Sequence, residues 1–116
     1  MNIRDVGKTA IIDIAKDVIS MGELGIIEKL LEKNVSHKRV AIDLKHVKYI
    51  DIDFINLMKS YAVKNKVSLF NLNNDVYLML FVHKADIFVD IYLDEFDFLK
   101  EKNSIVHRRL KLLKTA

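Results

Sequence analysis

Cysteine and proline are absent from this 116-residue chain, and glycine occurs only as Gly7, Gly22 and Gly25. Without cysteine there are no disulfides, no thiolate metal sites and no cysteine nucleophile. Three scattered glycines exclude the glycine-rich loops that cradle phosphates or dinucleotides, because those motifs need several within a few residues. Without proline, turns must rest on Asn, Asp and Lys-rich segments. Long apolar runs are missing too. The longest, Val76 to Val82, falls far short of the roughly 20 residues that cross a bilayer. Met1-Asn2-Ile3-Arg4-Asp5 leads into no apolar stretch of the kind a secretory signal needs, so a cytoplasmic location is expected.

What is present is ordinary in bulk and uneven in charge. The chain is 51% hydrophobic and 30% charged, a balance that suits a globular protein whose length allows one domain with its own core. The net charge is +3. Lys102, Arg108, Arg109, Lys111 and Lys114 make residues 102–116 +5 with no acid, which leaves residues 1–101 at −2. A basic extension on a mildly acidic body points to an anionic contact for the extension, with a solvated terminal helix as the plain alternative.

Apolar spacing divides residues 1–101 into alternating strands and helices. Ala10 to Ile14 reads as a strand, with Ile3 to Val6 as a partner before it. Met21 to Asn34 reads as a helix, since Leu24, Ile27, Leu30 and Leu31 recur at three- and four-residue steps. Ser20 and Glu23 have the spacing of a capping box at its start. Val40 to Leu44 is a strand, and Asp53 to Lys64 a helix with Phe54, Leu57, Met58 and Tyr61 along one stripe. Val67 to Leu72 and Ile87 to Tyr92 are strands, and Glu95 to Lys102 is a short helix. Periodicity alone does not decide Val76 to Val82 (VYLMLFV), whose unbroken apolar run suits a buried strand as well as a helix. The alternation elsewhere leans only weakly towards a helix. Strands alternating with helices of this length give an α/β layer with a largely parallel sheet.

The stretch from Arg39 to Met58, RVAIDLKHVKYIDIDFINLM, carries the most information. A strand passes through a polar bend into Tyr49-Ile50-Asp51-Ile52-Asp53 and then opens a helix. A helix N-terminus presents outward N–H groups and favours negative charge. This segment resembles the core of the STAS domain, the fold of anti-sigma-factor antagonists and of the cytoplasmic ends of sulfate transporters. In that family the turn reads Asp-Ser-Ser-Gly or Asp-Ser-Thr-Gly, and its second hydroxyl residue is the phosphoacceptor. Here the turn reads Asp51-Ile52-Asp53-Phe54, so Asp53 occupies the phosphoacceptor position. The resemblance covers roughly residues 8 to 99. It implies an α/β STAS-type domain over residues 1–101, with a small, mostly parallel sheet of four to five strands and about four helices, one of them over Val76 to Val82. The basic extension 102–116 follows it.

Two readings stand for each residue at this turn. Asp53 is either the N-cap of the second helix or a permanent negative charge that imitates phosphoserine, which would itself carry about −1.5 to −2. Phe54, where the family has glycine, either enters the core or adds to a contact surface. Asp17 falls where the family often has an acidic residue beside this turn, and it is otherwise a solvated loop aspartate. With Ser20, Met21, Asp51, Ile52 and Asn56, these residues form the expected partner-binding face.

Catalysis is not expected. His37, His46, His83 and His107 stand apart, with no i,i+4 pairing that would suit a metal, and no nucleophile–base pattern accompanies them; no cofactor is implied. Response-regulator receivers of similar length need an acidic pair at the first strand and a late lysine, which Asp13, Asp17 and Lys84 match poorly. The resemblance implies a non-catalytic interaction module like an anti-sigma-factor antagonist in a bacterial partner-switching system, with a serine-kinase-type anti-sigma factor as partner. The second reading is an accessory STAS subunit of a lipid or solute ABC transporter, with an ATPase as partner. Residues 104–113 (SIVHRRLKLL), drawn as a helix, would place Ile105, Val106, Leu110 and Leu113 on one side. Such a segment suits an anionic membrane surface, a partner, or packing back on the domain. Nucleic acid is not expected, because aromatic residues are absent from it. A homodimer is compatible with all of this.

Overall fold

The computed structural model describes residues 1–34, 36 and 39–100. The chain opens with a hairpin of β1 (Asn2–Val6) and β2 (Thr9–Asp13), in register Val6 to Thr9 across the turn. Gly7 at φ 63 supplies the positive φ of the turn, since a tight hairpin wants positive φ at its first central position and glycine adopts it without a Cβ clash. There follow β3 (Val18–Ile19), α1 (Met21–Lys33), β4 (Arg39–Asp43), β5 (Tyr49–Ile50), α2 (Ile52–Lys64) and β6 (Ser68–Phe70). The chain continues through α3 (Asn74–Val82), a 3-10 turn (Ala85–Ile87), β7 (Asp90–Tyr92) and α4 (Glu95–Leu99).

Five strands form one sheet in the order β1-β2-β4-β6-β7, and β3 and β5 form a separate two-stranded ladder. Only the β1–β2 pair is antiparallel; β2–β4, β4–β6 and β6–β7 are parallel. From β2 onward each new strand is added on the same side. Right-handed crossovers made repeatedly in one direction place their helices on one face, and α1, α2 and α3 share a single core. Ile27, Leu31, Phe54, Ile55, Met58, Val76 and Leu80 meet Ile12, Ile42, Leu69 and Ile91 there. Strand side chains alternate, so Ile11, Ala41, Phe70 and Tyr92 point to the opposite face, where Phe98 of α4 covers them. Each buried Val, Leu, Ile, Phe or Met side chain among them contributes about 1.5–3 kcal/mol.

The expected architecture is present: a small, mostly parallel sheet with four α-helices among the described residues. Several boundaries differ, and one pairing is new. The last strand is three residues long rather than starting at Ile87, because Lys84 at φ 59 turns the chain into the 3-10 segment. Val67 to Leu72 pairs only over Ser68–Phe70. The second helix begins one residue early, at Ile52. The β3–β5 ladder was not anticipated. Val76 to Val82 lies in a helix. His37, His107 and the basic extension 102–116 lie outside the described residues.

Candidate functional site

The β3–β5 ladder builds the site. Val18 pairs with Tyr49 and Ile19 with Ile50 in parallel, and each strand runs through a single residue into a helix, α1 after Ser20 and α2 after Asp51. Two helix N-termini therefore leave one ladder side by side, and their positive dipole ends share one edge of the molecule. The Asp17 carbonyl oxygen accepts from both the Lys48 and Tyr49 amides, at 2.7 and 3.1 Å, and so fixes the loop before β3 against the loop before β5. Within the ladder the alternation is strict: Ile19 and Ile50 enter the core while Val18 and Tyr49 face out.

The two helix starts are satisfied differently. At α1 the Glu23 carboxylate accepts from the Ser20 amide at 3.1 Å, as in a capping box, and also from the Ser20 hydroxyl. Those bonds, the hydroxyl's first, hold the Glu23 carboxyl below its ordinary value. At α2 the cap is Asp51, whose Oδ1 accepts from the Phe54 amide at 3.0 Å. The capping role expected for Asp53 is thereby corrected. Ile50 ends the ladder and leaves Asp51 extended at φ −105 and ψ 177, so the chain turns helical before Asp53 is reached. Asp53 sits within the first turn and is exposed; among the described residues it takes no hydrogen bond or ion pair.

The expected face separates into two groups. Asp17, Ser20, Met21, Ile52, Asp53 and Asn56 are exposed, and Met21 is 76% so. Asp51 is half-buried beneath them. Phe54 does not belong to the surface. It is 0% exposed and packs with Ile55 and Met58 in the main core, because starting the helix at Ile52 turns position 54 inward. The exposed apolar residues that accompany the face are Val18 and Tyr49, which the sequence reading passed over. Their signal was present as Val-Ile and Tyr-Ile pairs before each helix, but two residues give no usable periodicity.

A second concavity, of about 510 Å³, lies at the carboxyl ends of β2 and β4. Arg4 is its centre: Nε donates to Asp13 Oδ2 at 2.6 Å, and Nη2 donates to Glu95 Oε1 at 2.6 Å and to Asp43 Oδ2 at 3.5 Å. Asn71, itself at φ 60, donates to Asp43 Oδ1 at 3.1 Å. The Glu95 carboxylate, and then that of Asp13, push the already basic guanidinium further up. These groups satisfy one another and tie β1, β2, β4 and α4 together, so the cluster reads as structural. Among the described residues no group of three His, Asp or Glu side chains is placed to hold a metal ion, and no helix is long and apolar enough to cross a membrane.

No family model and no curated protein matches the chain. Solved structures do resemble it. The solution structure of the protein TM1081 is 20% identical, covers 85% of each chain and superposes with a TM-score of 0.69. A crystal structure of TM1081 from Thermotoga maritima, named as a candidate anti-sigma factor antagonist, is 17% identical over 86% of this chain and 92% of that one, with a TM-score of 0.68. At these identities the likeness is one of fold. It is the STAS-type α/β arrangement that residues 39–58 resemble.

Proposed function

We propose that this chain is a non-catalytic protein-interaction module of the anti-sigma-factor-antagonist kind, working in a bacterial partner-switching system in the cytoplasm. The observation that carries the reading is the exposed Asp53 carboxylate on the first turn of α2, beside the start of α1. Asp51 supplies the cap, so the charge of Asp53 is available to a partner. Exposed apolar Val18, Met21 and Ile52 stand on the same ladder and helix starts, and a mixed apolar and charged patch is the composition of a protein-recognition surface. The likeness in fold to a candidate anti-sigma factor antagonist supports the same class. Asp53 then acts as a fixed version of the phosphorylated state: a permanent −1 where the family places a reversible charge of about −1.5 to −2. The partner is a serine-kinase-type anti-sigma factor. The basic residues 102–116 add a charge contact to an anionic surface, either partner or membrane.

The test uses the full chain and the serine-kinase-type anti-sigma factor of the same organism, with ATP present. Mass spectrometry should find no phosphate between Tyr49 and Ser60, and titration calorimetry should follow binding. Met21→Asp and Ile52→Asp should weaken binding at least about tenfold. Asp53→Ser and Asp53→Ala should both shift affinity in the same direction, since both remove the charge. Stoichiometric phosphate on the segment defeats the reading, as does affinity that ignores all four substitutions. An ABC transporter ATPase captured in place of the kinase would favour the accessory-subunit reading.

A further inference from the structure

A helix that is apolar on every side normally lies within a protein or beneath a partner. α3, NDVYLMLFV, is such a helix. Val76 and Leu80 point into the core, yet Leu78 and Val82 on the other side are 56% and 62% exposed. Between this outer side and β5 runs an open groove of about 340 Å³ lined by Tyr49, Leu78 and Val82, with Lys48 and Asp75 among its walls. Leu78 and Val82 belong to a helix, so what they offer a partner is a side-chain surface.

Charge decides what covers it. The neighbouring end, where α1 and α2 begin, carries Asp17, Glu23, Asp51 and Asp53 against Lys16, and two copies meeting there would repel. The groove carries one base and one acid, with no net charge. A two-fold interface must be complementary to itself, each residue i meeting j while j meets i. A patch with one Lys and one Asp around an apolar centre satisfies that condition. We infer that the outer side of α3 and its groove form a homodimer interface. Leu78 and Val82 of each copy pack on the other's α3, and Lys48 of each copy pairs with Asp75 of the second. The acidic end borders this contact at Tyr49, and its carboxylates stay available to a different protein. This inference does not rest on the proposed function, because the self-association needs no kinase.

Sedimentation equilibrium of the full chain over a concentration series tests it. The unaltered protein should move from one-chain to two-chain mass as concentration rises. Lys48→Asp alone and Asp75→Lys alone each set like charges against each other at both ends and should raise the dimer dissociation constant about tenfold or more. Mixed in equal amounts, the two altered chains restore an opposite-charge pair at both ends, and the mixture should dimerise far better than either alone. Leu78→Asp should leave a folded monomer by circular dichroism. If Asp75→Lys fails to fold, Asp75→Asn should still weaken the dimer, by a smaller factor. A protein that stays monomeric throughout overturns the inference. So does a dimer indifferent to these charges, or a mixture no better than its components.

Discussion

Removing the Asp51 side chain should destabilise the domain more than removing the Asp53 side chain, although the two lie only two positions apart at the same helix start. Asp51→Ala deletes the acceptor of the Phe54 amide, a bond of 3.0 Å at a half-buried position. Losing an N-cap costs about 0.5–2 kcal/mol. Because Phe54 is fully buried, its amide has little water to turn to, and an orphaned donor there moves the cost to the upper part of that range, about 1–2 kcal/mol. Asp53→Ala works differently. It removes a charge near the helix dipole, worth about 0.3–1 kcal/mol at an exposed site. It also replaces a poor helix former with the best one, which returns about half a kcal/mol. The two nearly cancel, so Asp53→Ala should lie within about 0.5 kcal/mol of the unaltered protein.

Urea unfolding followed by circular dichroism separates the two, provided the slope with denaturant is unchanged so that midpoints report stability. In a domain of this size about 1 kcal/mol corresponds to roughly 4–8 °C in melting temperature, so thermal melts should show the difference without extrapolation. Asp51→Ser should recover most of the loss, since serine caps nearly as well as aspartate. A larger cost for Asp53→Ala than for Asp51→Ala would refute the reasoning. It would return the cap to Asp53 and remove the ground for treating its carboxylate as available to a partner.

Two further outcomes follow from the packing and the caps. Phe98 is fully buried, stacks on Phe70 at 5.4 Å, meets Tyr92 edge-on at 5.6 Å and lies 3.9 Å beneath the Arg39 guanidinium; Phe98→Ala should cost about 3–5 kcal/mol in urea unfolding, and a loss below about 1 kcal/mol would mean that α4 does not close the second face. Glu23 is held below its ordinary 4.5 first by the Ser20 hydroxyl and then by the Ser20 amide. A depressed carboxylate contributes its stability fully above its unfolded value and loses it as pH falls through the folded value, so the capping box should weaken only below about pH 4.5. An NMR titration should place the Glu23 midpoint beneath 4.5 and return it upward in Ser20→Ala; an unmoved midpoint would remove the hydroxyl from the account.

Elements held by local chemistry were legible in the residues. The α1 start could be read from Ser20 and Glu23 because a capping box is a bond between positions three apart. α3 illustrates a signal present but not used. Its apolar run has no helical period, since every side is apolar, yet Asn73 caps it by accepting from the Val76 amide at 2.8 Å while its own amide holds the Val47 carbonyl at 3.2 Å. An Asn ahead of such a run is a helix-start signal where periodicity is silent. Arg4 and its three carboxylates were not legible, because the partners come from β2, β4 and α4 and meet only once the sheet is assembled.

The acidic turn shows why the site was harder to read than the fold. Asp51 and Asp53 are chemically the same residue, and either could cap a helix. What distinguishes them is where the preceding strand stops, and that is set by a parallel pairing of Ile50 with Ile19, a contact with no trace in the local sequence. Once Ile50 is held in the ladder, Asp51 takes the extended cap position and Ile52 begins the helix. Phe54 then turns into the core and Asp53 faces outward. One long-range pairing thus decides three side chains at once, and of the two readings open for Phe54, core or contact surface, it selects the core. The departures from the family pattern that remain on the surface are Ile52 and the charge at position 53, which is why the affinity of Asp53 variants, more than their stability, bears on what this face recognises.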